Sequence, residues 1–160
     1  MQNVTIICVG KLKEQYLRDA INEYSKRLGA FCKFSIVELN ESKMSQAPSE
    51  KEIDKALQTE TDDILSKIPD SAFVVAMCIE GKQLSSEELS YTLQKTAIDG
   101  KANVVFIIGS SCGLADKVKN RADLKLSVSK MTFPHQLFRV MLTEQIYRAF
   151  SITKGTKYHK

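Results

Sequence analysis

Three stretches of this 160-residue chain carry residue types and spacings from which chemistry could be built. The first, "IIGSSCGLAD" (107–116), leaves an apolar run through Gly109, turns across Ser110 to Cys112 and re-enters at Gly113. Glycine accepts positive φ and lets a ligand approach the backbone closely. The order is GxxxG, which is neither the dinucleotide GxGxxG nor a P-loop followed by GK[ST]. By itself it reads equally well as a plain strand-to-helix turn. The second, "LKLSVSKMTFPHQ" (124–136), is a loop mixing apolar and small polar residues. An apolar loop must fold against something. Val128, Ser129, Lys130, Met131, Thr132 and Phe133 offer backbone donors and acceptors beside apolar surface, a combination suited to an adenine ring. A buried crossover that only fills the core is the alternative. The third stretch follows Pro134, a residue helices tolerate in their first turn. His135 and Arg139 lie four apart there, as do Glu144 and Arg148, and so share helix faces. An ordinary ion pair explains Glu144 and Arg148 as readily as a site does, and His135 suits a cap or the surface as well as a ligand. The chain closes on Tyr158, His159 and Lys160: an aromatic, an imidazole and a cation.

Regular elements must position these groups. "NVTIICVG" reads as a buried strand, and from Glu14 a helical stripe of Leu17, Ala20, Ile21, Tyr24 and Leu28 runs to Gly29. "KFSIVEL" alternates like a strand. Ser49 with Glu52, and Ser85 with Glu88, have capping-box spacing and open two further helices. "AFVVAMCI" and "NVVFII" are apolar on both faces. Strands alternating with helices, the middle ones apolar throughout, require a mostly parallel sheet covered on both sides. Ligands of such sheets bind beyond the carboxyl ends of the strands, which directs attention to the residues after "VVAMCIEG" and "VVFIIGSSCG". No repeat, linker or low-complexity segment divides the chain, so residues 1–160 are expected to form one α/β domain.

Composition sets limits on function. Apolar residues make up 43% and charged residues 26%, ordinary for a globular domain. No apolar run reaches the roughly 18 residues of a membrane span, and the N-terminal run reads as a strand rather than a signal peptide, so the cytoplasm is expected. Without CxxC or a Cys/His cluster the four cysteines suggest neither zinc nor disulfides. Cys8, Cys32 and Cys78 read as small buried hydrophobes, and Cys112, with no histidine nearby in sequence, is a poor candidate nucleophile. The net charge of +4 conceals an asymmetry. Residues 1–116 carry 13 Lys/Arg against 17 Asp/Glu, whereas residues 117–160 carry 10 against 2. The basic third is either a solvated face or a nucleic-acid footprint.

On "KLKEQY", "YSKRLG", "IEGKQLSSEEL", "FIIGSSCGL", "SKMTFPHQLFRVMLTEQIYRAF" and the terminal "KYHK", the chain resembles the ribosomal large-subunit methyltransferase H family from end to end. These SPOUT-class enzymes methylate N3 of a pseudouridine in 23S rRNA with S-adenosylmethionine. The resemblance implies a trefoil-knotted C-terminal half and a homodimer. The sulfonium donor is already activated, so no metal is required, and a small chain whose dimer doubles the basic area suits the assembled ribosome as substrate. The resemblance also implies a donor pocket of Met77, Gly109 and residues 128–133, lying beside the C-terminal residues of the other subunit. One departure is visible: where the family places a second glycine after the strand, this chain has Ser110, whose Cβ would narrow the approach to the donor.

The implied reaction sets demands that particular residues could meet. Methylating an imide nitrogen requires loss of N3–H and in-line placement against the methyl group. Placement alone contributes about 7–11 kcal/mol. Arg148 and His159 are candidates to steady the developing anion, and His159 or His135 to accept the proton. Arg139 and Arg148 would face rRNA, Tyr158 would stack a base, and Lys160 would engage phosphate. A flexible tail with such duties should add little to stability. A knotted tRNA methyltransferase and a non-catalytic ribosome-binding module remain as alternatives.

Overall fold

A computed structural model describes all 160 residues. Five strands form one parallel sheet in the order β2-β1-β4-β3-β5. They are β1 (Asn3–Val9), β2 (Lys33–Leu39), β3 (Phe73–Gln83), β4 (Asn103–Ile108) and β5 (Leu124–Ser127). Five helices alternate with them: α1 (Gln15–Leu28), α2 (Glu50–Ser66), α3 (Ser86–Ile98), α4 (Asp116–Arg121) and α5 (His135–Thr153). No helix is long and apolar enough to cross a membrane.

Side-chain alternation sorts the apolar strands into two cores. Val4, Ile6, Val75, Met77, Val104, Phe106 and Ile108 pack on one face with Leu28 of α1, Leu89 and Leu93 of α3, and Leu142 and Ile146 of α5. Ile7, Val9, Val74, Ala76, Val105 and Ile107 pack on the other with Ile64 of α2 and Val118 of α4. The helices after β1 and β3 thus lie on one face and the helix after β4 on the other. The chain changes face on both sides of β4, and crevices open there at the carboxyl ends of the strands.

Local chemistry accounts for the element boundaries. The Ser85–Glu88 box is reciprocal. Ser49 accepts the Glu52 N–H, but the Glu52 carboxylate turns to Ser45 instead, leaving that box half made. Pro134 lies just outside α5, and its carbonyl accepts the first helical bond, from Phe138. The third strand outruns its apolar sequence. Leu126 of β5 is opposite Met77 and again opposite Lys82, so residues 78–81 bulge out of register and turn toward the carboxyl-end crevice. A Cβ on Gly81 would lie 2.6 Å from the Leu126 backbone, so only glycine permits this close crossing. The short helix α4 has too few residues to announce itself by periodicity.

Candidate functional site

Two clefts open at the carboxyl edge of the sheet, and Ser110, Ser111 and His135 belong to both. The first has a volume of about 320 Å³. Met77, Gly109, Val128, Ser129, Met131, Thr132 and Phe133, all anticipated from sequence, line it together with His135. Lys130 belongs to the same loop, but it is exposed and outside the lining. Sequence reasoning missed Glu80 and Lys119, which form an ion pair within the lining. Their only sequence signal was the charge following the apolar run at "CIEGK". The pair holds the Glu80 carboxyl below, and the Lys119 ammonium above, its ordinary pKa.

The two loops of this cleft keep their shape by different means. Gly113 has φ +76°, and its N–H donates to the Ser110 carbonyl at 2.9 Å, closing a tight turn. A Cβ on Gly109 would stand 2.5 Å from the Gly113 carbonyl oxygen. Gly109 is therefore required by the turn's own backbone, before any ligand is considered. In the second loop the Met131 N–H donates to the Ser129 hydroxyl at 2.9 Å, and the Ser127 hydroxyl donates to the Ser129 carbonyl at 3.0 Å. Ser110 does not simply crowd the cleft, because its hydroxyl donates to the buried Glu60 carboxylate at 2.6 Å.

The second cleft, about 390 Å³, lies past β1 between residues 9–17 and the start of α5. Lys11, Lys13, Tyr16 and Glu41 contribute to its walls, and Arg139 to its lining. Arg139 corrects the sequence expectation. It is only 2% exposed, donates to Glu38 at 2.6 Å and to the Gly10 carbonyl at 3.1 Å, and so ties α5 to β1 and β2. Packed across the sheet end, its charge is matched inside the chain and does not belong to an outer basic face.

Arg148 stands at the other end of α5 in a separate cluster. Glu144 Oε1 accepts from Arg148 at 2.6 and 3.0 Å and from the Tyr158 hydroxyl at 2.9 Å. The Tyr158 ring meets Tyr147 edge-on, with centroids 4.7 Å apart, and the Arg148 guanidinium lies over it at 4.7 Å. Burial, then hydrogen bonds with Tyr24 and Glu144, push the Tyr158 phenol well above its ordinary pKa. His159 sits between Arg148, 3.3 Å from Nδ1, and Glu87, 2.8 Å from Nε2. A guanidinium only donates, so Nδ1 is the acceptor and the Nε2 proton points to Glu87. The loosely held tail expected from sequence is thus docked on α3 and α5, and Tyr158 is not a free stacking platform. Only Lys160 of the three is exposed. From residue 135 to 148 the helix rises roughly 20 Å, so one chain does not unite His135 with Arg148 and His159.

A sheet that changes face beside β4, with a glycine-rich turn and a serine-bearing loop enclosing a largely apolar cleft, defines an α/β domain with a small-molecule-sized site at the carboxyl edge of its sheet. A family model described as "Predicted SPOUT methyltransferase" matches residues 2–159. The chain is 56% identical over 158 residues to the "Ribosomal RNA large subunit methyltransferase H" of Clostridium beijerinckii, covering 99% of each. It is 51% identical over 157 residues to the protein of that name from Streptococcus pneumoniae, covering 98% of this chain and 99% of the other. A probable methylase family protein from Haemophilus influenzae superposes with a TM-score of 0.53 at 11% identity, over 99% of this chain and 71% of that one, a likeness of fold alone. The chain belongs to the ribosomal large-subunit methyltransferase H family of SPOUT methyltransferases.

Proposed function

We propose that this chain is an S-adenosylmethionine-dependent methyltransferase of the cytoplasm that modifies N3 of a pseudouridine in 23S rRNA of the assembled ribosome. One observation carries the reading: the end of β3, the 109–114 turn and the 127–133 loop, remote in sequence, line a single cleft. Its composition fits the donor. Met77, Leu114, Leu126, Val128 and Phe133 offer apolar surface for an adenine. Glu80 and Lys119 present one charge of each sign, the complement of an α-ammonium and an α-carboxylate. When bound, the donor supplies an activated methyl group on a sulfonium. The trefoil knot belongs to the same reading, as what membership of the SPOUT methyltransferases implies.

The protein's task is then to exclude water, align the acceptor and receive its proton. His135 stands where the two clefts join, so an acceptor base entering from the second cleft would pass it. On this reading Arg148 and His159 act at the donor cleft of a second copy, so the protein works as a homodimer with a composite site. An apolar groove of about 530 Å³, lined by Leu84, Leu89, Val140 and Met141, gives such a dimer surface to bury. In the assembled site Arg148 steadies the imide anion, His135 takes its proton, or His159 does so once its Nδ1 is released from Arg148, and Lys160 holds phosphate.

Mass spectrometry of rRNA and tRNA from a strain lacking the protein tests the substrate. An unmethylated 23S pseudouridine supports the reading, and a loss in tRNA instead replaces it with the knotted tRNA enzyme. Calorimetry without S-adenosylmethionine binding would favour a non-catalytic ribosome-binding module. For the composite site, a Gly109→Arg chain and a His159→Ala chain, each inactive alone, should recover activity when mixed. Sedimentation showing active monomers would refute it.

A further inference from the structure

Glu60 lies on α2, outside the lining of either cleft, yet it is only 3% exposed. A mid-helix glutamate is ordinarily solvated, and a carboxylate this deep requires donors. Its oxygens find them in two directions. Oε1 accepts the Ser110 hydroxyl at 2.6 Å, and Oε2 accepts the Ser42 N–H at 3.4 Å. Ser110 is 3% exposed, and its Oγ, having given its proton to Glu60, accepts the Cys112 N–H at 3.3 Å. A chain of hydrogen bonds therefore runs from α2 into the turn that walls the first cleft. The same carboxylate holds the segment whose Glu41 borders the second cleft. Gly109 and Gly113 contribute no side chains to stiffen that turn, so the hydroxyl of Ser110 is its anchor to the helix layer.

We propose that Glu60 is a positioning residue: through Ser110 it fixes the 109–113 turn, and through Ser42 it keeps the rim of the second cleft in register with the first. The inference rests on reading the first cleft as the methyl-donor site. A charge-assisted hydrogen bond is short and strong enough to select one turn conformation, and the distances here are of that kind on the Ser110 side.

The test uses Glu60→Gln, which keeps size and acceptor but removes charge, Ser110→Ala, and the double variant. Calorimetry with S-adenosylmethionine should show about tenfold weaker binding for each single variant. The double should be no worse than about twofold beyond either, because both reach the donor cleft through the single Ser110–Glu60 bond, the Ser42 arm serving the second cleft. S-adenosylhomocysteine, which lacks the positive sulfur, should lose as much. Wild-type affinity in Glu60→Gln, additive losses, or a loss confined to the sulfonium ligand would each overturn the proposal. Amide exchange on the free protein gives a readout independent of ligand. Residues 109–114 and 41–45 should exchange faster in Glu60→Gln while β1 and β4 keep their protection. Unchanged exchange there overturns the latch. If the wild-type chain binds neither ligand, the donor-site reading fails, and the exchange result alone decides whether Glu60 holds the turn.

Discussion

Arg139 and Arg148 occupy one helix, each with a carboxylate in hydrogen-bonding reach, and they serve the protein in opposite ways. Arg139 is sealed under the sheet end, and its partner Glu38 comes from a different element. Arg148 is half-buried, its partner Glu144 is one helical turn away, and it gathers Tyr158 and His159 from the chain terminus. The first joins secondary-structure layers. The second organises a surface that can be presented to another molecule. A charged residue's contribution thus depends on whether its partner is local or distant, and on whether water can replace that partner.

The comparison is broken most directly at Arg139. Arg139→Met should remove the bonds to Glu38 and the Gly10 carbonyl, leaving Glu38, 38% exposed, to turn to water, and cost about 2–3 kcal/mol of stability. Arg148→Met removes two bonds to Glu144, which keeps those from Tyr158 and Gln145, and should cost about 1–2 kcal/mol, yet depress ribosome methylation far more than its stability loss explains. Urea denaturation of both variants measures the difference, and equal losses would erase the distinction.

Gly109→Ala probes the donor side, where backbone rather than charge sets the shape. A methyl group there must displace the Gly113 carbonyl, at a strain of about 1–3 kcal/mol. Calorimetry should show weaker donor binding even though alanine is far too small to fill the cleft. Unchanged affinity would mean that the turn relaxes without affecting the ligand.

Removing residues 158–160 tests how firmly the Arg148 cluster holds the tail. The lost Tyr158 packing and hydrogen bonds predict destabilisation of about 1–2 kcal/mol, read by thermal melting. Tyr158→Phe, which keeps the ring and removes the hydroxyl with its bonds to Glu144 and Tyr24, should cost about 1 kcal/mol. A truncated chain that melts like the intact one would return the tail to the loosely held segment its sequence suggests.

The smallest effect concerns the thiols. Burial pushes Cys8 and Cys32 up to about 11, so at pH 8 both remain protonated in the folded chain. Iodoacetamide at that pH should label half-buried Cys112 and Cys78 first, and reach Cys8 and Cys32 only in denaturant. The sign follows from burial: unfolding returns these thiols to their lower ordinary value, so folded stability falls as pH rises from about 9 toward 11. Early labelling of Cys8 would show that the layer joined by Arg139 opens readily.

The sequence by itself determined the alternation of elements, the parallel sheet, the location of the cleft loops and the family, because each rests on local pattern: apolar runs, capping spacings and the motif around "MTFPHQ". It misjudged Cys78, which the bulge in β3 lifts to the half-buried rim. Tertiary structure alone decided the fate of the polar groups. Arg139 is buried because Glu38, distant in sequence, meets it across the sheet. The tail is docked because Glu144 and Tyr147 present partners for Tyr158. Glu60 faces inward because Ser110 and Ser42 converge on it. Periodicity shows which face of a helix is apolar, but the charged side chains of Arg139 and Glu60 enter the interior where partners distant in sequence meet them, with only Arg139 Nε left unpaired. That match exists only once the chain has folded.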